Sequence, residues 1–209
     1  MKALLINGSP HVNGCTKRGL KEVEKILNEK GIETIWLEVG TKDIRGCIGC
    51  YYCRQHNKCV FNDIVNESAP LLEEADAVII GTPVYYAGPN GQLHSFLDRF
   101  FFSTATSINK TMKVGATVVS SRRAGSTSAF DDINKYFTIS SMPIASSTYW
   151  NEVHGFTPED VEKDLEGLQC LRNLAHNIAF LVKAIKNQTE REGGIPVMVK
   201  EHRTNFFQD

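Results

Sequence analysis

The chain predicts an α/β doubly wound fold: five parallel strands in one sheet, with helices on both faces. Three observations carry this. Short apolar runs alternate with longer amphipathic stretches, several runs stop at a Gly, and the stretches between them repeat apolar residues at three and four. Such a sheet binds ligands at the carboxyl ends of its strands.

In order, Lys2 to Asn7 is the first strand, stopping at Gly8. Thr16 to Lys30 places Leu20, Val23, Ile26 and Leu27 on one helical face and ends at Gly31. Thr34 to Val39 is the second strand, and Ala77 to Ile80 the third, closed by Gly81, Thr82 and Pro83. Asn90 to Phe102 reads as a helix, and Lys113 to Val119 as a β-branched fourth strand. A helix over Ser126 to Ile139 and a weaker fifth strand over Pro143 to Ser147 follow. Thr157-Pro158-Glu159-Asp160 is a helix start, with Thr to cap, Pro at the first position and acids in the first turn. Leu165, Leu168, Leu171, Leu174, Ile178, Leu181 and Ile185 extend that helix to about Lys186. Residues 1–188 form one domain; 189–209 form an extension expected to pack on a neighbouring surface.

Of the 209 residues, 42% are hydrophobic and 22% charged, enough for a packed core. With 23 basic and 24 acidic residues the formal charge is -1, which argues against nucleic-acid binding and, less strongly, against a small acidic electron carrier. No apolar run reaches the ~20 residues of a membrane span, and no secretion signal is read at the N-terminus. The expected location is cytoplasmic, where cysteines serve as ligands or catalysts more than as disulfides.

Asn7-Gly8-Ser9-Pro10-His11-Val12-Asn13-Gly14-Cys15-Thr16 joins the first strand to the first helix. It offers backbone N–H groups and a positive helix end, with hydroxyls from Ser9 and Thr16. Neither a Gly-x-Gly-x-x-Gly nor a Walker Lys is present, so the loop suits a metal-free phosphate monoester such as that of FMN. An ordinary βα turn has the same composition.

This stretch resembles the Gly-Ser-Pro opening of the flavodoxin-like NAD(P)H-dependent FMN reductases. Thr82-Pro83-Val84-Tyr85-Tyr86-Ala87-Gly88-Pro89 is similar to that family's Pro-Val-Tyr loop against the flavin ring. Gln92-Leu93 through Phe96-Leu97-Asp98-Arg99 resembles the helix that follows. Ser120-Ser121-Arg122-Arg123-Ala124-Gly125 stands where the family places a third flavin-contacting loop. The resemblance implies a flavodoxin-like fold binding FMN through Ser9, His11, Asn13, Cys15 and Thr16, through Pro83, Val84, Tyr85, Tyr86, Ala87 and Gly88, and through Ser120, Ser121, Arg122, Arg123 and Gly125. Tyr85 and Tyr86 can stack on an isoalloxazine. Arg122 or Arg123 can favour an anionic reduced flavin or bind a nicotinamide phosphate. Aromatic pairs after strands are also often core, and Arg pairs are usually solvated.

Four of the six cysteines, Cys47, Cys50, Cys53 and Cys59, share one segment within residues 46–62, spaced C-x2-C-x2-C-x5-C. Two overlapping C-x2-C steps bring three thiolates around one point, and the fourth closes the site. Zinc favours two separate knuckles, and free thiols remain an alternative. Within an FMN-reductase-like chain this spacing resembles the iron–sulfur flavoproteins, which implies a [4Fe-4S] cluster on those four residues. Cys15, at a helix start, is either a thiol of lowered pKa or a small filler, and Cys170 a filler.

The expected protein is an FMN-dependent oxidoreductase with a [4Fe-4S] relay, passing electrons between NAD(P)H or ferredoxin and a small-molecule or protein acceptor. The alternatives are a cluster-free reductase of quinones, nitro- or azo-compounds, and a non-enzymatic electron-transfer flavoprotein. The resemblance implies a homodimer or homotetramer in which a neighbour's flavin meets the cluster, with Phe100, Phe101 or Phe102 at the contact if exposed.

Overall fold

The computed structural model describes residues 1–202 and 204. Five strands, β1 (Lys2–Asn7), β2 (Glu33–Glu38), β3 (Ala77–Pro83), β4 (Val114–Ser121) and β5 (Glu152–His154), form one parallel sheet in the order β2-β1-β3-β4-β5. That is the expected doubly wound order, and its switch point lies between β1 and β3, where the connections leave in opposite directions.

The inner strands β1, β3 and β4 are buried on both sides because their residues feed two cores. Ala3, Leu5, Ala77 and Ile79 face α1 (Cys15–Glu29) and the later helix, meeting Leu20, Val23, Leu171 and Leu174. Leu4, Ile6, Val78 and Ile80 face the opposite layer. There α2 (Tyr52–His56), α3 (Ile64–Glu67) and α4 (Ala69–Glu74) precede α5 (Gly91–Ser103) and α6 (Ser126–Ile139). This two-sided burial is why the strands read as apolar runs rather than as alternations.

Two expectations are corrected. Pro143 to Ser147 is not the fifth strand. It touches β4 in a single bridge, Ile144 to Gly115, and then leaves the sheet, where Asn177 donates to the Ser146 carbonyl and the Ser147 hydroxyl donates to that of Cys170. The true edge strand, Glu152-Val153-His154, has one buried residue and polar flanks. The helix expected to run unbroken from Thr157 is two: α7 (Pro158–Val161) and α8 (Leu165–Glu192). The break lies at Asp164, whose carboxylate accepts from Gly167 N at 2.9 Å, capping α8, and from His154 N at 2.7 Å, tying it to β5. α8 then continues past Lys186 and ends where Gly193 adopts φ 73°. Of the three phenylalanines expected at a contact, Phe100 and Phe101 are core and only Phe102 is exposed. Among the described residues no helix is long and apolar enough to cross a membrane.

Candidate functional site

Four connections leave the carboxyl edge of the sheet together, and hydrogen bonds bind them into one rim. Gly8 N, after β1, donates to Gly81 O at 2.8 Å. Val84 N, after β3, donates to Ser120 O at 3.0 Å, and Gly155 N, after β5, to Ser121 O at 3.0 Å. Below the rim the hydroxyls of Thr16 and Ser120 lie 2.7 Å apart.

The first loop is folded for anion contact. His11 N donates to the Ser9 hydroxyl and Gly14 N to the His11 carbonyl, which curls residues 9–14 over the head of α1. No side chain caps that helix and its first turn holds no acid, so its leading N–H groups keep their donors. From behind, Gly40 presses on the loop: a Cβ there would come 2.3 Å from the Ser9 carbonyl carbon. Cys15 heads α1, yet its thiol is pushed up rather than down, by burial first and then by the acids Asp160 and Glu159.

The second loop is pinched at its base, where Asn90 N donates to the Thr82 hydroxyl at 3.1 Å. Its tip is a two-residue turn: Tyr85 and Gly88 exchange both backbone hydrogen bonds, at 2.9 and 3.0 Å, around Tyr86 and Ala87. Both turn residues have positive φ, 51° and 60°, a backbone that side chains disfavour. Gly125, at φ 92°, lies against this turn, and a Cβ there would stand 2.9 Å from the Ala87 Cα.

These loops enclose a cleft of about 750 Å³, within the range of about 300–1,000 Å³ usual for small-molecule sites. Of the sequence-predicted residues it is lined by Ser9, His11, Asn13, Cys15 and Thr16, by Pro83, Val84 and Tyr85, and by Ser120, Ser121 and Arg122. Tyr86, Ala87, Gly88, Arg123 and Gly125 do not line it. Tyr86 is fully exposed on the turn, and Gly125 supports the turn from outside. Gly155, Phe156, Thr157 and Pro158 complete the wall and were missed by sequence reasoning. With the fifth strand expected at 143–147, Thr157 and Pro158 read as a helix start and not as the continuation of an edge strand that ends at the cleft. A phosphate-tailed flavin fits this arrangement. The uncapped helix end supplies donors, Tyr85 supplies an aromatic edge half-open to the cleft, and the buried Ser121 hydroxyl has no protein partner.

The cysteines line a second, separate hollow, much smaller at about 20 Å³. Cys47, Cys50, Cys53 and Cys59 all line it, beside Ile48, Tyr51, Val60, Phe61, Arg99, Phe102 and Ser103, and no residue lines both cavities. Cys47 and Cys50 sit on an exposed loop with Gly49 at φ 64°; Cys53 and Cys59 are half-buried. The Cys53 thiol is pushed up by burial and then by its three cysteine neighbours, so the four sulfurs share one field. Among the described residues no three His, Cys, Asp or Glu side chains converge on a single ion position. Four thiols from one short segment are a donor set that either a cubane or a zinc ion accepts.

Cys59 is the most firmly held of the four. Asn66 accepts from its N–H at 2.8 Å and donates to its carbonyl at 3.0 Å. Arg99, with 1% of its side chain exposed, donates through Nε to Cys59 Sγ at 3.2 Å. Its two terminal nitrogens each reach an oxygen of Asp63 at 2.8 Å, and one also reaches the Arg45 carbonyl. Burial alone would lower the Arg99 pKa; Asp63 and Cys59 outweigh it and hold the guanidinium charged.

With this geometry in place, the similarities are specific. Residues 1–157 match the model of the NADPH-dependent FMN reductase family. Two iron-sulfur flavoproteins of Methanocaldococcus jannaschii are 33% and 31% identical, covering 89% and 88% of this chain and 100% and 98% of their own. Among solved structures, RosB with a bound 8-demethyl-8-formylriboflavin-5'-phosphate superposes with TM-score 0.70 at 15% identity, over 100% of this chain and 96% of that one. A flavodoxin from the domain Archaea superposes with TM-score 0.56 at 19% identity, over 88% of this chain and 99% of its own. The fold is therefore flavodoxin-like, and the chain belongs to the NADPH-dependent FMN reductase family, as a flavoprotein of the oxidoreductase kind whose relatives include the iron-sulfur flavoproteins.

Proposed function

We propose that this protein is an FMN-dependent oxidoreductase that also carries a [4Fe-4S] cluster on Cys47, Cys50, Cys53 and Cys59. The observation that carries the reading is the pairing of two disjoint hollows in one chain, a cleft at the sheet edge and a small pocket lined by all four cysteines. The names of its relatives support the same combination.

Bound FMN supplies exchange of electrons in pairs or singly, and the cluster supplies single-electron transfer. The chain's own part is binding and electrostatics. The head of α1 and the Ser9 hydroxyl hold the phosphate, Pro83 to Tyr85 border the ring, and Arg122 places a positive charge at the cleft mouth. Beside the cleft lies a second hollow that shares Arg122, Gly155 and Phe156 and also takes in His154 and Asp160, giving a nicotinamide or an acceptor room next to the flavin. A nicotinamide or ferredoxin donor, a small-molecule or protein acceptor, and a homodimer or homotetramer that brings one copy's cysteine socket to another's cleft complete the reading. The exposed Ile48, Tyr51 and Phe102 around the socket suit such a contact.

The test is protein purified without oxygen, assayed for FMN, iron and acid-labile sulfide. The expected chain holds one FMN and about four iron and four sulfide, and Cys50→Ala loses iron while keeping FMN. FMN without iron in the wild-type protein would leave a cluster-free reductase; absence of both would end the proposal.

A further inference from the structure

The clamp behind Cys59 ties α5 to the segment that carries the cysteines. Arg99 is the largest fully buried side chain among the described residues; its Nε donates to Cys59, and its terminal nitrogens to the Arg45 carbonyl and the Asp63 carboxylate. Asp63 is itself fixed, since its carboxylate also caps α3 through Val65 N at 3.1 Å. Phe61 lies within 5.0 Å of the Arg99 guanidinium carbon and 4.6 Å of that of Arg45, closing the other side with an aromatic face. The charged nitrogens reach out to Asp63, but the Nε–H is spent on sulfur. Asp63 already matches the buried charge, so the Nε–H is a donor left over for the sulfur, and such a bond is strongest when that sulfur is an anion.

We propose that Arg99 is a positioning residue for the cluster, fixing Cys59 as its fourth ligand and raising its reduction potential through the Nε–H bond to that sulfur; the inference rests on the cluster reading given above. When the cluster takes up one electron from an external reductant, one negative charge is added and no bond forms or breaks. A donor and a cation held against the thiolate favour that reduced state. Asp63 does not cancel the effect, because it lies beyond the guanidinium from the sulfur and only the donor touches it. Among the described residues the other three cysteines have no such side-chain donor to sulfur: Cys47 and Cys50 are exposed to solvent, and Cys53 is half-buried.

The experiment compares wild-type holoprotein with Asp63→Asn/Arg99→Met, a pair of changes that leaves no buried charge unmatched. Iron and sulfide are counted, and the cluster and FMN midpoints are titrated separately. A cluster midpoint shifted to lower potential in the chains that load, iron content at or below wild type and an unmoved FMN midpoint are the expected results. Full loading with an unmoved cluster midpoint would overturn the proposal. If the double variant does not load, Arg99→Lys decides, since it keeps the charge and loses the fork. A folded, FMN-bound chain with lost iron or a lowered cluster midpoint supports positioning. A chain that no longer folds, or one with wild-type iron and midpoint, overturns it. Iron missing from the wild-type protein would instead fail the cluster reading, before any variant is made.

Discussion

The hydroxyls of Thr16 and Ser120, separated by 104 positions in the chain, meet at 2.7 Å beneath the cleft. One heads α1 and the other ends β4, so this bond locks the first loop to the third. Both residues are buried, and removing one partner leaves the other unpaired. Thr16→Val is expected to weaken FMN binding roughly tenfold, about 1.4 kcal/mol. Quenching of flavin fluorescence on titration into the apoprotein measures it; unchanged affinity would mean the lock does not shape the cleft.

Ala87 sits at φ 60° on the turn that borders the cleft. A non-Gly residue there carries roughly 1–2 kcal/mol of local strain. Ala87→Gly is expected to raise the unfolding free energy by up to about 1 kcal/mol, partly offset by the entropy of Gly. Urea unfolding of the two proteins decides, and a lower midpoint for the variant would contradict the strain.

Asp164 joins β5 to α8 through two backbone amides. Asp164→Ala is expected to cost about 1–2 kcal/mol, the usual range for a lost helix cap. Because the tie holds His154, and Gly155 beyond it lines the cleft, flavin affinity should fall together with stability. A stability loss with wild-type affinity would separate the fifth loop from the binding site.

Lys110 is buried with only the carbonyls of Thr104 and Ile108 as partners, and burial pulls its pKa down to about 8. The folded amine therefore releases its proton well before the unfolded one, whose value stays near 10.5. Between those values the unfolded state binds more protons, so this residue's contribution favours folding increasingly as pH rises from about 8 to about 10. Wild type should gain stability relative to Lys110→Met across that window and run parallel to it below pH 8. Denaturant midpoints at several pH values test the slope.

Arg122 borders both the cleft and the hollow beside it. Arg122→Ala is expected to raise the KM for a phosphate-bearing nicotinamide several-fold with little change in FMN content. Steady-state kinetics on flavin-saturated protein checks this, and an unchanged KM would place the donor elsewhere.

The first four strands, α1 and α5 were legible, most plainly where a strand buries an uninterrupted apolar set: Leu4-Leu5-Ile6 and Val78-Ile79-Ile80 leave little choice of period. The short helices α2, α3 and α4 were not, because four to six residues are too few to show a helical repeat. Glu152-Val153-His154 was not legible, because an edge strand with one buried residue is specified by pairing to Val119 and Ser121 rather than by its own pattern. The break before α8 was hidden for a related reason. Asp164 reads as an ordinary polar residue within a helix until β5 supplies the second amide that it accepts. At the cleft, motif order placed the loops, but composition could not tell lining residues from supporting ones. Tyr86 and Gly125 belong to the same turn system as Tyr85 and do not face its interior. Arg99 was visible only as part of a helix, since its role depends on a carboxylate 36 positions away.

Residues 45–62 run between core residues Ile44 and Ile64, touch the core at Cys59, and pair with no strand among the described residues. That segment is thus an accessory seated on a finished scaffold. Trimming it to a short linker should spare sheet order and flavin loading, and moving it to a kindred scaffold would require its counter-ion seat on the receiving helix to travel with it.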